Sequence, residues 1–196
     1  MPGPASAPPP TARRADARRN ADALVQAAAS VFVERGVDAP VREVAARAGV
    51  GVGTIYRHFP TRAELVVAVY RHQVDELVDR AAAAPDPGAS PADTLRAWVH
   101  AFAGFLVTKH GLAGALHADD ESSAALHALV TDRLVPAFAA LLDAAVEAGE
   151  ARAPLEPAVL LRAIGNLCIG ADPQGPVGGY DAHAVVDVLL DGLRRR

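Results

Sequence analysis

Three side chains at alternate positions, Thr54, Tyr56 and His58, carry groups that donate hydrogen bonds to phosphate oxygens. Between them stands Arg57, whose planar fork matches the two acceptors on the edge of a guanine. Val52, two residues before Thr54, offers only methyl groups, which suit the methyl of a thymine. Arg42 is placed to meet either a base or a phosphate, and Arg62 to hold a nucleic-acid backbone from outside a groove. Further upstream, Arg13, Arg14, Arg18 and Arg19 form a basic arm able to neutralise flanking phosphates. The chemistry in view is recognition of a polyanion, not bond making.

The distribution of charge points the same way. The 196 residues carry a net charge of −4. Through Arg62 there are nine arginines against five acids, a net of +4, and beyond it ten bases against eighteen acids, a net of −8. A basic head on an acidic body directs only the head toward a polyanion. Hydrophobic residues make up 51% and charged residues 21%, the composition of a folded globular chain. One cysteine, Cys168, excludes an internal disulfide framework. No run of 18 apolar residues suggests a membrane span, and the first ten residues lack the order of a secretion signal, so a cytoplasmic protein is expected.

Helical periodicity supplies the elements that must hold these groups. Leu24, Ala27, Ala28, Val31 and Phe32 make one apolar face of a helix over about 16–35, ended by Gly36. Short helices follow over 41–48 and 52–58, and a longer one from Arg62 to about Ala83, capped by Thr61. Ser90, Pro91 and Asp93 open the next helix as a capping box, and Leu95, Trp98, Val99, Phe102, Phe105 and Leu106 give it an apolar stripe. A separate short helix is expected near 112–117. A long one is expected over 121–148, kinked or divided by Pro136. Helices over 157–170 and 181–194 complete the chain. Both read as apolar on more than one face, so Leu160, Leu161, Ile164 and Leu167, with Val185, Val186, Leu189, Leu190 and Leu193, are expected to pair with a second copy in a homodimer. No strand pattern competes. The expected fold class is all-α: a disordered tail over 1–12, a three-helix DNA-binding domain over 13–62 containing a helix-turn-helix, and a helical bundle over 63–196.

The segment VREVAARAGVGVGTIYRHFPTRAEL, residues 41–65, reads as helix, tight turn, helix. Ala45 is small where the two helices cross, Gly49 permits the positive backbone angle of the turn, and Val44, Val50 and Ile55 fill the space between them. A second helix held in this way is suited to a DNA major groove. The glycines of GVGVGT do not make a nucleotide loop, because no strand precedes them and their order is neither GxGxxG nor GxxxxGK.

With ERG closing the first helix, AxxAGV at the turn and TIYRHFPTRAEL beyond it, residues 17–70 resemble the DNA-binding domain of the TetR family of bacterial transcriptional regulators. WVHAFAGFLVTKHGLAGAL and the ending DVLLDGLRRR resemble the SbtR-like type of that family's C-terminal domain. The resemblance implies that Arg42, Thr54, Tyr56, His58 and Arg62 fall where relatives touch DNA. Many relatives have Ser and then Lys or Arg after the turn; here stand Gly51 and Val52, so one ionic contact is absent. It also implies a small effector inside the bundle, for which Trp98, Phe102, Phe105, His117, Leu126, Val130 and Phe138 are candidate lining residues and Asn166 a polar anchor. Their apolar character suits a mostly apolar ligand.

Other chemistry is weakly encoded. His117, Asp119, Asp120 and Glu121 read as a solvated helix start rather than a metal site, and Cys168 as a buried, inert thiol. No catalytic constellation is evident, and no metal or cofactor is expected. The expected protein is a dimeric, ligand-responsive repressor of a near-palindromic operator on double-stranded DNA, and not an enzyme. The alternative is an all-helical small-molecule binding protein, or a bundle enzyme, that keeps the helix-turn-helix as scaffold.

Overall fold

The computed structural model describes residues 10–116, 128–168 and 179–195, with backbone alone for residues 10–19 and 107–116. The described residues form eight α-helices, and their one β feature is an isolated antiparallel bridge between Ala151 and Arg194. The all-α expectation holds. The chain divides into two compact units between Val69 and Tyr70. That boundary lies seven residues beyond the expected one, because the first two turns of the fourth helix bury Leu65, Val66 and Val69 in the N-terminal unit.

In the N-terminal unit, α1 (Pro10–Arg35) takes in Pro10, Thr11 and Ala12 from the segment expected to be a tail. Leu24, Ala28, Val31 and Phe32 face its core as the periodicity requires. Gly36, at φ 79°, turns the chain toward α2 (Val41–Ala48). Gly49, at φ 68°, ends α2 in a Schellman motif: its N–H donates to the Ala46 carbonyl (3.2 Å) and that of Val50 to the Ala45 carbonyl (3.0 Å). The short α3 (Val52–His58) follows and buries Ile55. Helix α4 (Arg62–Ala82) starts from a reciprocal cap in which the Glu64 N–H donates to Thr61 Oγ1 and the Thr61 hydroxyl to Glu64 Oε1, each at 3.2 Å.

The C-terminal unit begins with Tyr70, which is fully buried, its ring centroid 5.1 Å from that of Phe105. Burial pushes the Tyr70 phenol up to about 12, so it stays neutral at ordinary pH. Helix α5 (Pro91–Leu116) opens on the expected capping box: the Asp93 N–H donates to Ser90 Oγ (3.2 Å) and the Ser90 hydroxyl to Asp93 Oδ2 (2.9 Å). Glu150 adds a second cap, accepting from the Ala92 N–H at 2.9 Å. Over the described residues 112–116 there is no separate short helix. Instead α5 continues through Gly111 and Gly114 to Leu116, since one glycine costs a helix only about 1 kcal/mol against alanine.

Beyond the undescribed stretch, a π-helical turn over Val130–Leu134 leads into α6 (Val135–Glu147). Pro136 sits in the first turn of α6, so the expected division is present. Proline has no N–H to offer the carbonyl four residues back, and the ladder changes register ahead of it. Helix α7 (Pro157–Cys168) and helix α8 (Ala182–Leu193) close the unit. Asp181 caps α8, its carboxylate accepting from the His183 N–H at 2.9 Å.

Each of the last two helices buries one stripe within its own subunit: Leu160, Leu161, Ile164 and Cys168 on α7, and Ala182, Val186, Leu190 and Leu193 on α8. Leu160, Leu161, Ile164, Val186, Leu190 and Leu193, expected to meet a second copy, are buried within the chain itself. Leu167, Val185 and Leu189 flank the stripes half-buried, while Val159 and Val188 are exposed, Val188 at 74%.

A polar seam that the sequence reading missed joins α5 to α8 in antiparallel register. Arg96 ion-pairs through its two terminal nitrogens with Asp187 and Asp191, which are one helical turn apart. His100, one turn beyond Arg96, donates from Nε2 to Asp187 (2.8 Å), and its Nδ1 lies 2.8 Å from His183 Nδ1. The signal was present as Arg and His four apart on one helix facing His, Asp and Asp spaced by four on another, but only the fold shows that they meet. The His100 hydrogen bond, followed by Arg96, holds the Asp187 carboxyl below the usual carboxylate range. A depressed carboxyl contributes stability above its unfolded value, about 4, and that contribution is lost as pH falls through its folded value. Asp187→Asn is therefore expected to unfold more readily than the parent at pH 7. The gap should close as pH falls below about 4, in urea melts across a pH series from neutral to acid. A gap that stayed constant would contradict the assignment.

Candidate nucleic-acid interface

Helix α3 has two sides because its seven residues make barely two turns. Ile55 anchors it, and Phe59 follows its last turn, half-buried. On the other side Val52 and Tyr56, four residues apart, are 38% and 48% exposed, and Arg57 beside them is exposed. Thr54 and His58 are half-buried at the margins of this ridge, and Arg42 is exposed on α2.

What separates the arginines is whether an internal partner claims them. Arg47 makes a two-pronged ion pair with Glu34 (2.9 and 2.6 Å) across α2 and α1, and Arg35 lies 3.7 Å from Glu43. The Arg47 hydrogen bond holds the Glu34 carboxyl below its ordinary value. Among the described residues, none pairs with the side chains of Arg42 or Arg57, so both are left to solvent on the N-terminal unit. The structure therefore brings Arg42, Val52, Tyr56 and Arg57 to the surface of one small domain.

Arg62, expected to hold a nucleic-acid backbone from outside a groove, also has internal partners. Its Nη2 donates to the carbonyl oxygens of Val37 and Ala39, the latter at 2.9 Å, and the side chain is part-buried. Arg13, Arg14 and Arg18 lie in the first half of α1, in the part where backbone alone is described.

In the C-terminal unit, four of the candidate effector residues prove to be one packed aromatic core. Trp98, Phe102, Phe105 and Phe138 are all buried, with Trp98 stacked on Phe102 at 5.7 Å between centroids and 5.9 Å from Phe138. The Trp98 indole N–H donates to the Leu77 carbonyl at 2.7 Å, which satisfies its one polar atom. Val130 is half-buried in the π-helical turn. Asn166, expected as a polar anchor, is exposed on α7. It follows Ile164 by two positions, about half a helical turn, and so lies across the helix from the buried stripe. His117 and Leu126 lie outside the described residues, as do Asp119, Asp120 and Glu121.

Among the described residues no three His, Cys, Asp or Glu side chains gather in a way that would hold a metal ion, and no helix is long and apolar enough to cross a membrane. Cys168 is buried, and burial pushes its thiol up, away from the reactive thiolate.

Comparison with known proteins bears on both units. Residues 24–69 match the family described as bacterial regulatory proteins, tetR family, and residues 90–195 match the transcriptional regulator SbtR-like C-terminal domain. A TetR transcriptional regulator from Streptomyces coelicolor is 35% identical in sequence, with 89% of this chain and 98% of that one covered and a TM-score of 0.71. A TetR regulatory protein from Mycobacterium vanbaalenii is 34% identical, with 93% and 99% covered and a TM-score of 0.67. Among curated proteins, the transcriptional activator FasR of Mycolicibacterium smegmatis is 40% identical over 84 residues, 42% of this chain and 38% of that protein. The transcriptional repressor KstR2 of the same organism is 37% identical over 75 residues, 38% of this chain and 37% of that protein. The chain thus spans less than two fifths of the length of these two curated relatives. Two domain matches in the expected order, and near-complete overlap with solved regulators, make this chain a member of the TetR family of bacterial regulatory proteins, with a C-terminal domain of the SbtR-like type.

Proposed function

We propose that the protein is a sequence-specific DNA-binding transcriptional regulator that presents α3 to a major groove. The observation that carries this reading is the exposed ridge of Val52, Tyr56 and Arg57, with Arg42 also exposed, in a domain of the tetR family. Arg57 reads a base edge and Val52 a thymine methyl, while Thr54, Tyr56 and His58 donate to phosphates and position the helix. The basic stretch with Arg13, Arg14 and Arg18 neutralises flanking backbone.

A homodimer sets the distance between two such ridges, matched to successive grooves of a near-palindromic operator. The outward residues Val159 and Val188, with Leu167, Val185 and Leu189 beside the buried stripes, form the apolar face that supports pairing. The match of the C-terminal unit to a regulator's C-terminal domain supports a small, mostly apolar effector, which acts by preferring one of two shapes of that unit. Action as a cytoplasmic repressor is the working assignment; the similar proteins include both an activator and a repressor. Kinship with regulators favours this reading over a bundle enzyme that merely retains the helix-turn-helix.

The test is a gel-shift titration on the DNA just upstream of the protein's own gene, with unrelated duplex as competitor. A specific shift that survives about a thousandfold excess of competitor is expected, in line with the usual specificity ratio. Equal displacement by both duplexes would overturn the proposal.

A further inference from the structure

We propose that His100 and His183 form a pH-sensitive latch between α5 and α8, closed while one hydrogen lies between their facing nitrogens and opened when both rings are charged. Asp187 settles the first ring: an ionised carboxylate only accepts, so His100 Nε2 carries a hydrogen. The two Nδ1 atoms face each other at 2.8 Å, with the ring centroids 4.8 Å apart. Two nitrogens at that distance share a hydrogen bond, and the gap has room for one hydrogen. Either His183 donates to a neutral His100, or His100, as imidazolium, donates to His183. Charging both rings puts a hydrogen on each Nδ1, and the contact cannot survive.

The charges nearby do not replace the lost bond. On α5, Arg96 is committed to Asp187 and Asp191. On α8, Asp181 accepts from the His183 backbone N–H, and Asp187 from His100 and Arg96. Arg162 on α7 and Asp143 and Glu147 on α6 are exposed, and among the described residues none forms a hydrogen bond or ion pair with either ring. His183 is the second residue of α8 and half-buried, so its ring has solvent to turn to. Opening the latch frees the first turn of α8 from α5, while Arg96 still holds the two turns beyond it. Counting protons gives the direction of the effect. The unfolded chain charges both histidines below about pH 6.5, whereas the closed fold takes up one fewer. Stability therefore falls as pH falls through the histidine range, a window separate from that of Asp187 below about pH 4.

The experiment compares the full chain with His183→Asn in urea melts from pH 8 to pH 5, at one protein concentration. Asparagine offers a polar amide of similar reach and does not titrate. Every other histidine is common to both proteins, so the difference between their pH profiles isolates this pair. Below pH 6 the parent's folding equilibrium constant should fall by up to about tenfold per pH unit more than the variant's, the effect of one proton. Amide exchange, corrected for its intrinsic pH dependence, should quicken over residues 182–186 in the parent alone and leave 187–191 protected. Parallel pH profiles of parent and variant would overturn the proposal, since each histidine would then take up its proton in the fold as freely as in the unfolded chain. If His183→Asn does not fold, proton NMR of the parent's histidine rings decides. Coupled, two-step titration of His100 and His183 is expected, and two independent single-step curves would overturn the latch.

Discussion

Arg57→Ala is expected to lower affinity for the specific operator about 10- to 100-fold, the effect of losing one two-pronged base contact worth about 1–3 kcal/mol. The variant should remain as stable as the parent, because Arg57 is exposed and no described residue pairs with its side chain; substitutions at such positions fall within about 0.5 kcal/mol. Binding to unrelated duplex should change little, so the loss appears as relaxed specificity. Replacing Tyr56, 48% exposed on the same ridge, should instead weaken binding to all sequences and leave the salt slope alone, since its phenol carries no charge. Competition titrations with point-substituted duplexes measure both. If Arg57→Ala lowered specific and unrelated binding equally, Arg57 would be a backbone contact and the proposed reading of bases by α3 would fail.

The second large effect is expected in the other unit. Phe138 is fully buried, its ring 5.9 Å from Trp98. Phe138→Ala should cost about 3–5 kcal/mol, from lost transfer energy and the cavity left behind. Against a typical domain stability of about 5–15 kcal/mol this is a large fraction. Trp98 is the chain's single tryptophan, so its fluorescence follows unfolding of the same cluster in urea. The midpoint should fall with the slope retained. A cost under about 1 kcal/mol would mean that the ring lines a space able to collapse or refill, and would return Phe138 to the class of effector-lining residues.

The difference between these two residues shows what periodicity can and cannot tell. Residue type and spacing suit Arg57 to a groove and Phe138 to a pocket. Exposure supports the first use. Close packing among Trp98, Phe102 and Phe105 makes the second foremost a matter of core stability. An apolar residue on a helix stripe has the same pattern in either case, since pocket and core both exclude water. The same ambiguity holds for α7 and α8: each helix buries one stripe and leaves Val159 or Val188 outside.

Local chemistry was readable without coordinates wherever a few neighbouring residues decide the outcome. The caps at Thr61 and Ser90 and the turns at Gly36 and Gly49 are of this kind, because cap and turn energies depend on atoms within one helical turn. So is the identity of the ridge on α3, where Ile55 alone sets which side faces inward. The inward turn of Arg62 onto carbonyls 23 and 25 residues away, and the meeting of Arg96 and His100 with Asp187 across about 90 residues, belong to another class. A charged side chain takes the best partner within reach, and which partners are within reach is fixed only once the helices have packed.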